Sequence, residues 1–181
     1  LADTISEWAL ADGYVDAEAG NHLRHELAWA CELHETGLMR LMQPARFGGS
    51  ELGLDALMNV VTEIAKGCTS TAWVYSNLAS HSWNIGQFDL RAQEDDWATD
   101  PDALAATGLA FPCGRATPVE GGYKLSGKWP FASGIDASTW MLVGAMTELP
   151  GRAPERRFFL VPQSQFRSLD NWDTYGLTGT G

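Results

Sequence analysis

The apolar pattern of the chain changes its period near Pro101, and this change constrains the fold more than any other feature. Before it, apolar residues recur three and four apart, the spacing of a helical face. After it, short alternating runs are separated by Gly and Pro turns, which is typical of β-strands. The sequence therefore predicts an α+β chain, with an all-helical domain over residues 1–100 and a β domain over residues 101–181.

Four helices are predicted in the first part. The clearest apolar face consists of Leu54, Leu57, Met58, Val61, Ile64 and Ala65, and an upstream face consists of Leu23, Leu27, Ala30 and Cys31. Residues 44–50 contain a proline and two glycines and are predicted as a loop. The hydroxyls of residues 69–71 are expected to cap a third helix that runs past Trp73 and His81 toward Phe88. A fourth, acidic helix is predicted over residues 90–99.

Six short strands are predicted in the second part, over residues 109–111, 115–119, 123–125, 128–132, 140–145 and 157–161. Glu120-Gly121-Gly122 is expected to form a hairpin turn, because glycine reaches positive φ at little cost. Residues 151–154 are predicted as a longer turn. Short strands at regular spacing favour an antiparallel β-barrel or sandwich.

The charge of the chain excludes some partners. Residues 1–100 carry 16 acidic and 5 basic side chains, whereas residues 101–181 carry 7 of each, so the net charge of −11 lies in the first part. Nucleic acid requires a basic surface, and so does an anionic membrane. We therefore expect neither as a partner.

The cysteines and the apolar segments indicate where the protein resides. Cys31, Cys68 and Cys113 are sparse, odd in number and without a CxxC pair, which favours reduced thiols. No segment has the apolar length of a membrane span. The N-terminus lacks the basic start and apolar run of a secretion signal. The sequence thus predicts a cytoplasmic protein.

The segment Trp129-Pro130-Phe131-Ala132-Ser133-Gly134 has the strongest chemical signature. If it is a strand, Trp129, Phe131 and Ser133 share one face, because alternate residues do. Two aromatic rings and a hydroxyl suit a flat heteroaromatic ligand such as a flavin. Alternating apolar residues are also common in ordinary β structure, so periodicity alone favours a buried core strand.

Other chemistry has less support in the sequence. GxGxxG and GxxxxGK[ST] are absent, which argues against a Rossmann or P-loop nucleotide site. HExxH, paired Cys–His clusters and GxSxG are absent too, so we expect no metal and no hydrolase elbow. Trp73, Asn77 and His81 can line one side of a helix, since eight residues make about two turns. From sequence alone, a hydrogen-bonded histidine on a half-buried helix explains this pattern better than a pocket for an aromatic substrate does.

Several blocks in one order carry a family resemblance: Arg46-Phe47-Gly48-Gly49, Ser70-Thr71-Ala72-Trp73-Val74, Phe111-Pro112, Trp129-Pro130-Phe131-Ala132-Ser133-Gly134 and Gly176-Leu177-Thr178-Gly179-Thr180-Gly181. Together they resemble the acyl-CoA dehydrogenase superfamily, and more narrowly its two-component flavin-dependent monooxygenases, which hydroxylate phenols, indoles and polyketide aromatics. The resemblance covers nearly the whole chain. The dehydrogenases carry Thr-Glu-Pro…Gly-Ser-Asp at the first loop of the β domain. Here residues 111–118 read FPCGRATP, which favours the monooxygenase branch.

The resemblance implies an oxygenase that uses reduced FMN, or FAD, with O₂ as cosubstrate. A separate NAD(P)H-dependent flavin reductase supplies the reduced flavin, a C4a-hydroperoxide forms on it, and one oxygen atom passes to a small aromatic substrate. Such a site has to exclude water, because the peroxide otherwise eliminates before transfer.

The resemblance also implies three groups of site residues. They are Phe111, Pro112, Trp129, Phe131 and Ser133 for the cofactor, Trp73, Asn77 and His81 for the substrate, and His81 and Ser133 for catalysis. The Ser133 hydroxyl would hold flavin N5 or the peroxide. His81, with an ordinary pKa of about 6.5, would act as a base near a substrate phenol.

The family has a C-terminal four-helix bundle that completes the flavin site and builds a homotetramer, and nothing in these 181 residues matches it. We therefore expect a truncated β domain, and a fragment that is inactive by itself. Two alternatives stay open. One is a dehydrogenase or oxidase of the same fold, whose base lies in the missing part, and the other is a non-catalytic flavin-binding fragment.

Overall fold

The computed structural model describes residues 33–109, 113–149 and 151–169, together with Tyr175 and Thr180. Within these residues the α-helices are α1 (Leu54–Gly67), α2 (Thr69–Ile85) and α3 (Leu90–Trp97). The strands are β1 (Ala105–Gly108), β2 (Gly114–Val119), β3 (Gly122–Gly127), β4 (Trp140–Thr147) and β5 (Glu155–Pro162). The three downstream predicted helices are confirmed, whereas the predicted helix face at residues 23–31 lies outside the described residues.

Helix α1 buries a face that differs from the predicted one by part of a turn. Leu57, Val60 and Ile64 are buried, at the i, i+3, i+7 spacing of one helical stripe. Leu54 and Met58 belong to the predicted stripe, but they are more than half exposed. Apolar spacing alone cannot fix the rotation of a helix, because the packing of α1 against α2 decides which residues point inward.

Helix α2 is the central helix of the fold. Nine of its 17 residues are buried, including Tyr75 and Leu78, so most of its circumference faces protein. The predicted hydroxyl cap is wrong: Cys68 is the N-cap residue, and no side chain caps the end. By contrast, α3 has a side-chain cap, since the Asp89 carboxylate accepts from the backbone N–H of Arg91 at 3.1 Å.

The sheet is mixed, which corrects the antiparallel prediction. Strand order is β1-β4-β2-β3, with β5 antiparallel to β4 along its whole length. On the other edge of β4, β1 pairs in parallel with its first half and β2 pairs in parallel with its second half. The β2–β3 hairpin turns at the predicted residues, with Gly121 at φ 79°. The prediction failed for β4, which reaches its parallel neighbours through a long connection and not through a hairpin.

One strand prediction was wrong, and another lies mostly outside the described residues. The first strand lies at Ala105–Gly108, before the predicted residues 109–111, of which 110 and 111 lie outside the described residues. Residues 128–132 are not a strand and form the start of the connection between β3 and β4. Strands at 115–119, 123–125, 140–145 and 157–161 are confirmed, each extended by one or more residues.

The apolar core has three parts. The helical part contains Leu38, Met39, Leu57, Ile64, Val74, Tyr75 and Leu78, among others. A second cluster joins helices and sheet through Ile85, Trp97, Ala103 and Ala105, with Phe47, Trp140 and Leu160 against it. A third contains Met141, Val143 and Val161, with Trp129, Ala132 and Ile135 against it. Helix α2 and the β3–β4 connection both border this core, and their contact positions the candidate site.

Candidate functional site

The candidate site centres on residues 128–134, which we call the 128–134 loop. Two of its residues have left-handed backbone: Phe131 at φ 61° and Gly134 at φ 79°. Left-handed backbone is uncommon for a residue with a bulky side chain, and such strain clusters at functional sites. It also breaks the alternation of a strand, so Trp129, Phe131 and Ser133 do not share a strand face.

Trp129 lies against the sheet in a pocket made by glycines. Its indole Nε1 donates to the carbonyl oxygen of Gly144 at 2.8 Å. A Cβ built on Gly108 would lie 2.5 Å from the Trp129 Cβ, and one built on Gly114 would lie 2.2 Å from its Cζ2. Only glycine permits this approach. The ring therefore anchors the loop to the sheet.

The other predicted cofactor residues differ in position. The Phe131 side chain is 63% exposed, whereas Ser133 is half-buried. Gly134 holds the loop close to α2, because a Cβ at this position would lie 2.9 Å from Val74 Cγ1. Phe111 and Pro112 lie outside the described residues.

Trp73 of α2 and Ser133 of the loop are in direct contact. The Trp73 indole Nε1 donates to Ser133 Oγ at 3.2 Å. Trp73 is 49% exposed, so much of its ring is open on the surface. The structure thus brings together a predicted substrate residue and a predicted catalytic residue that are 60 residues apart in sequence.

Asn77 and His81 lie further along α2 and have different surroundings. Asn77 Nδ2 donates to the backbone carbonyl of Trp73 at 2.7 Å, within the helix. His81 is buried, with Nδ1 2.7 Å from the carbonyl oxygen of Ala105 and Nε2 3.1 Å from Thr107 Oγ1. Trp73 and His81 are eight residues apart, which places them roughly 12 Å apart along the helix axis.

The two contacts of His81 fix its tautomer. A carbonyl oxygen can only accept, so Nδ1 carries the proton and donates to Ala105. Nε2 then accepts from the Thr107 hydroxyl, whose oxygen keeps lone pairs for a further donor. Burial lowers the pKa of His81 to about 4, while the bond to the Ala105 carbonyl acts weakly in the opposite direction. His81 is therefore neutral at physiological pH.

Thr107 is a polar residue of this region that sequence reasoning missed. It is half-buried on β1 and follows His81 by 26 residues. Nothing in a lone threonine on a short strand distinguishes it, so only the fold reveals the pair.

Other features of the described residues lie away from these contacts. An open groove of about 430 Å³ at the end of α2 is lined by Asn84, Gln87, Phe88 and Phe158, none of them a predicted site residue. Among all the residues that the structure describes, no cluster of His, Cys, Asp or Glu could hold a metal ion. None of the helices that the structure describes combines the length and apolar character that a membrane crossing needs.

The chain is similar to known flavin enzymes. Residues 3–100 match the model of the acyl-CoA dehydrogenase N-terminal domain. A flavin-dependent monooxygenase oxygenase subunit, HsaA of Rhodococcus jostii (strain RHA1), is 38% identical over 149 residues, which cover 82% of this chain and 39% of that protein. The oxygenase component of the FADH2-dependent resorcinol hydroxylase of Rhizobium sp. (strain MTP-10005) is 39% identical over 151 residues, covering 82% of this chain and 36% of that protein.

A comparison of the fold with solved structures gives a similar result. The crystal structure of 3-HSA hydroxylase from Rhodococcus sp. RHA1 matches with a TM-score of 0.82 and 32% identity, over 99% of this chain and 46% of that one. The chain therefore spans about two fifths of the length of the curated relatives and somewhat under half of that structure.

Proposed function

The chain belongs to the acyl-CoA dehydrogenase family, and we propose that it forms part of the oxygenase component of a two-component flavin-dependent monooxygenase that hydroxylates a small aromatic substrate. The observation that carries this proposal is the contact between Trp73 and Ser133, which joins an open aromatic ring to a hydroxyl at the boundary of helix and loop. Relatives of this kind at 38% and 39% identity support it.

The residues at this boundary fit a flavin by their chemistry. Trp73 and Phe131 offer exposed flat apolar surface, and Ser133 offers a hydroxyl whose oxygen already accepts from Trp73. These three residues would hold the ring, with Phe111 and Pro112 as further proposed contacts and Trp129 as the anchor behind the loop. Reduced FMN or FAD, when bound, would activate O₂ so that one oxygen atom passes to the substrate ring.

The pair of His81 and Thr107 would hold a phenolic hydroxyl. Because Thr107 donates its proton to His81 Nε2, the Thr107 oxygen is oriented to accept a hydrogen bond from the substrate. The depressed pKa of His81 makes it a weak base, so this pair would orient the phenol and leave its proton in place. The role of His81 in this proposal is therefore to position Thr107, with Asn77 and Trp73 beside the substrate.

The proposal includes the partners and setting of the complete enzyme. A separate NAD(P)H-dependent reductase would supply the reduced flavin, and the oxygenase would act as a cytoplasmic homotetramer. Size-exclusion chromatography with light scattering on the full-length protein tests the assembly.

The activity has a direct test. We expect the full-length protein, supplied with reduced flavin by a flavin reductase and with ¹⁸O₂, to add one ¹⁸O atom to a phenol from a panel of phenols and indoles, as measured by mass spectrometry. Reductase without the oxygenase is the control. Bleaching of bound oxidised flavin by an acyl-CoA, without ¹⁸O product, would favour a dehydrogenase. Flavin binding with neither reaction across the panel would favour a non-catalytic flavin-binding protein.

Replacement of Thr107 by valine tests the proposed phenol contact. Valine keeps the shape and removes the hydroxyl, so we expect the Kd of a phenolic substrate to rise about 3- to 10-fold, the usual value of one hydrogen bond. Binding of reduced flavin should not change. Thr117→Val, at an exposed position of β2, is the matched control, and equal substrate affinity in both variants would argue against the contact.

A further inference from the structure

We propose that Trp73 is a positioning residue, whose indole N–H sets the direction in which Ser133 donates its hydroxyl proton. This inference rests on the proposed flavin site. The contact joins Trp73 Nε1 to Ser133 Oγ at 3.2 Å and bridges α2 and the 128–134 loop.

The donor is what makes the contact directional. An indole N–H can donate and cannot accept, so Ser133 Oγ has to act as the acceptor. One lone pair of Ser133 Oγ is thereby engaged, whereas the hydroxyl proton makes no hydrogen bond to another described residue. Because Trp73 is a donor, the Ser133 hydroxyl proton has to point away from the Trp73 N–H.

Other serines of the chain show what happens without such a donor. Ser76 donates to the carbonyl of Trp73, Ser80 to that of Asn77 and Ser138 to that of Gly134, each at 2.8 Å. A serine hydroxyl readily turns back to a nearby carbonyl in this way. The bond from Trp73 engages one lone pair of Ser133 Oγ and thereby limits the directions in which its proton can point.

The backbone holds the loop in place independently of Trp73. Gly134 packs against Val74, and its carbonyl accepts from Ser138. On the other side, Trp129 is fixed by its bond to the Gly144 carbonyl. Removing the Trp73 N–H should therefore free the hydroxyl to rotate without moving the loop.

The test uses Trp73→Phe in the full-length protein, which keeps an aromatic ring and removes the N–H. We expect the Kd of reduced flavin, measured under anaerobic conditions, to rise about 3- to 10-fold. Trp83→Phe is the matched control, since Trp83 lies on the same helix and is 53% exposed, against 49% for Trp73. The control should bind flavin as the unaltered protein does.

A double-mutant cycle separates positioning from packing. If Trp73 acts through Ser133, Ser133→Ala alone should weaken binding as much as Trp73→Phe, and the double variant should lose nothing more. Additive losses would overturn the inference, because the Trp73 N–H would then affect flavin binding by a route that does not pass through Ser133. Weakened binding in Ser133→Ala together with unchanged binding in Trp73→Phe would also overturn it, while leaving the proposed function intact. A full-length protein that binds no reduced flavin would overturn both.

A second measurement needs no flavin. In the ¹⁵N-labelled protein, Ser133→Ala should shift the indole N–H signal of Trp73, because the acceptor is gone, and should leave that of Trp83 in place. An unmoved Trp73 signal would contradict the hydrogen bond on which the inference depends.

Discussion

Replacing Asp96 by asparagine should raise the free energy of unfolding above pH 7 by as much as about 4 kcal/mol. Asp96 lies on α3, is 2% exposed, and neither of its carboxylate oxygens has a hydrogen-bond partner in the described part of the chain. Burial raises the pKa of Asp96 to about 7, with a further contribution from the charge of Asp100. Holding the charged form in the protein is costly, and asparagine removes that charge.

The sign of the effect follows from the direction of the shift. Above pH 7 the carboxylate is charged in both states, and only the folded state bears the cost of burying it. As the pH falls toward 4, the folded state takes up a proton that the unfolded state does not yet hold, so the protein becomes more stable. The gain from Asp96→Asn should therefore be largest at pH 8 and disappear near pH 4.

His81 opposes Asp96 over nearly the same range. Its pKa is lowered to about 4, so its stabilising contribution is complete above pH 6.5 and is lost as the pH falls toward 4. In the unaltered protein the two trends partly cancel. In Asp96→Asn the histidine acts alone, and stability should fall steeply on acidification.

Urea unfolding of the full-length protein at pH 5, 6.5 and 8 checks this prediction. Asp95→Asn is the control, because it changes the same charge on the same helix at an exposed position, where effects usually stay within about 0.5 kcal/mol. Equal effects of the two variants at pH 8 would mean that the buried position of Asp96 does not matter.

Replacing Gly114 by alanine should destabilise the protein by about 1–3 kcal/mol, the usual cost of overpacking. The added Cβ would lie 2.2 Å from Trp129 Cζ2 and 3.1 Å from the Cβ of Ala145. The distance to Trp129 is shorter than any real contact of a Cβ atom, so one of the two groups has to move. Trp129 cannot move away without losing its bond to the Gly144 carbonyl. Gly122→Ala is the matched control, since a Cβ at Gly122 would meet nothing within 4 Å.

The ring itself can be shown to cause the effect. Trp129→Leu should cost stability by itself, because it empties part of the glycine pocket. In that background Gly114→Ala should cost much less than it does beside tryptophan, as equilibrium unfolding would show. An unchanged cost would mean that the clash lies elsewhere, for example with Ala145.

The sequence predicted elements well where one periodicity applies throughout. The helices at α1, α2 and α3 and most strands are confirmed, because apolar spacing and Gly-Pro punctuation act locally. The limits of the two domains remain a prediction.

The sequence predictions failed where contacts between residues distant in sequence determine the local structure. The apolar residues of 128–132 alternate as they would in a strand. However, the Trp129 ring packs against glycines of the sheet, and the left-handed backbone at Phe131 interrupts the extended conformation that a strand needs. The parallel pairing of β4 depends on a long connection that sequence spacing does not reveal. Of the candidate site, the sequence named Trp73, Ser133 and His81, but only the fold shows that Trp73 contacts Ser133 and that His81 lies next to Thr107.

The mixed pairing of β4 has a consequence for the order of folding. The β2–β3 hairpin can form locally, because a short turn joins its two strands. By contrast, β1 can pair with β4 only when the chain between them, which includes the whole hairpin, has folded back. Such non-local contacts form late, because the entropy of closing the intervening chain has to be lost first. The 128–134 loop lies within this intervening chain. A partly folded species with its helices and hairpin in place would thus lack the proposed site at Ser133, so a ligand of that site would stabilise the finished protein without guiding its earlier folding steps.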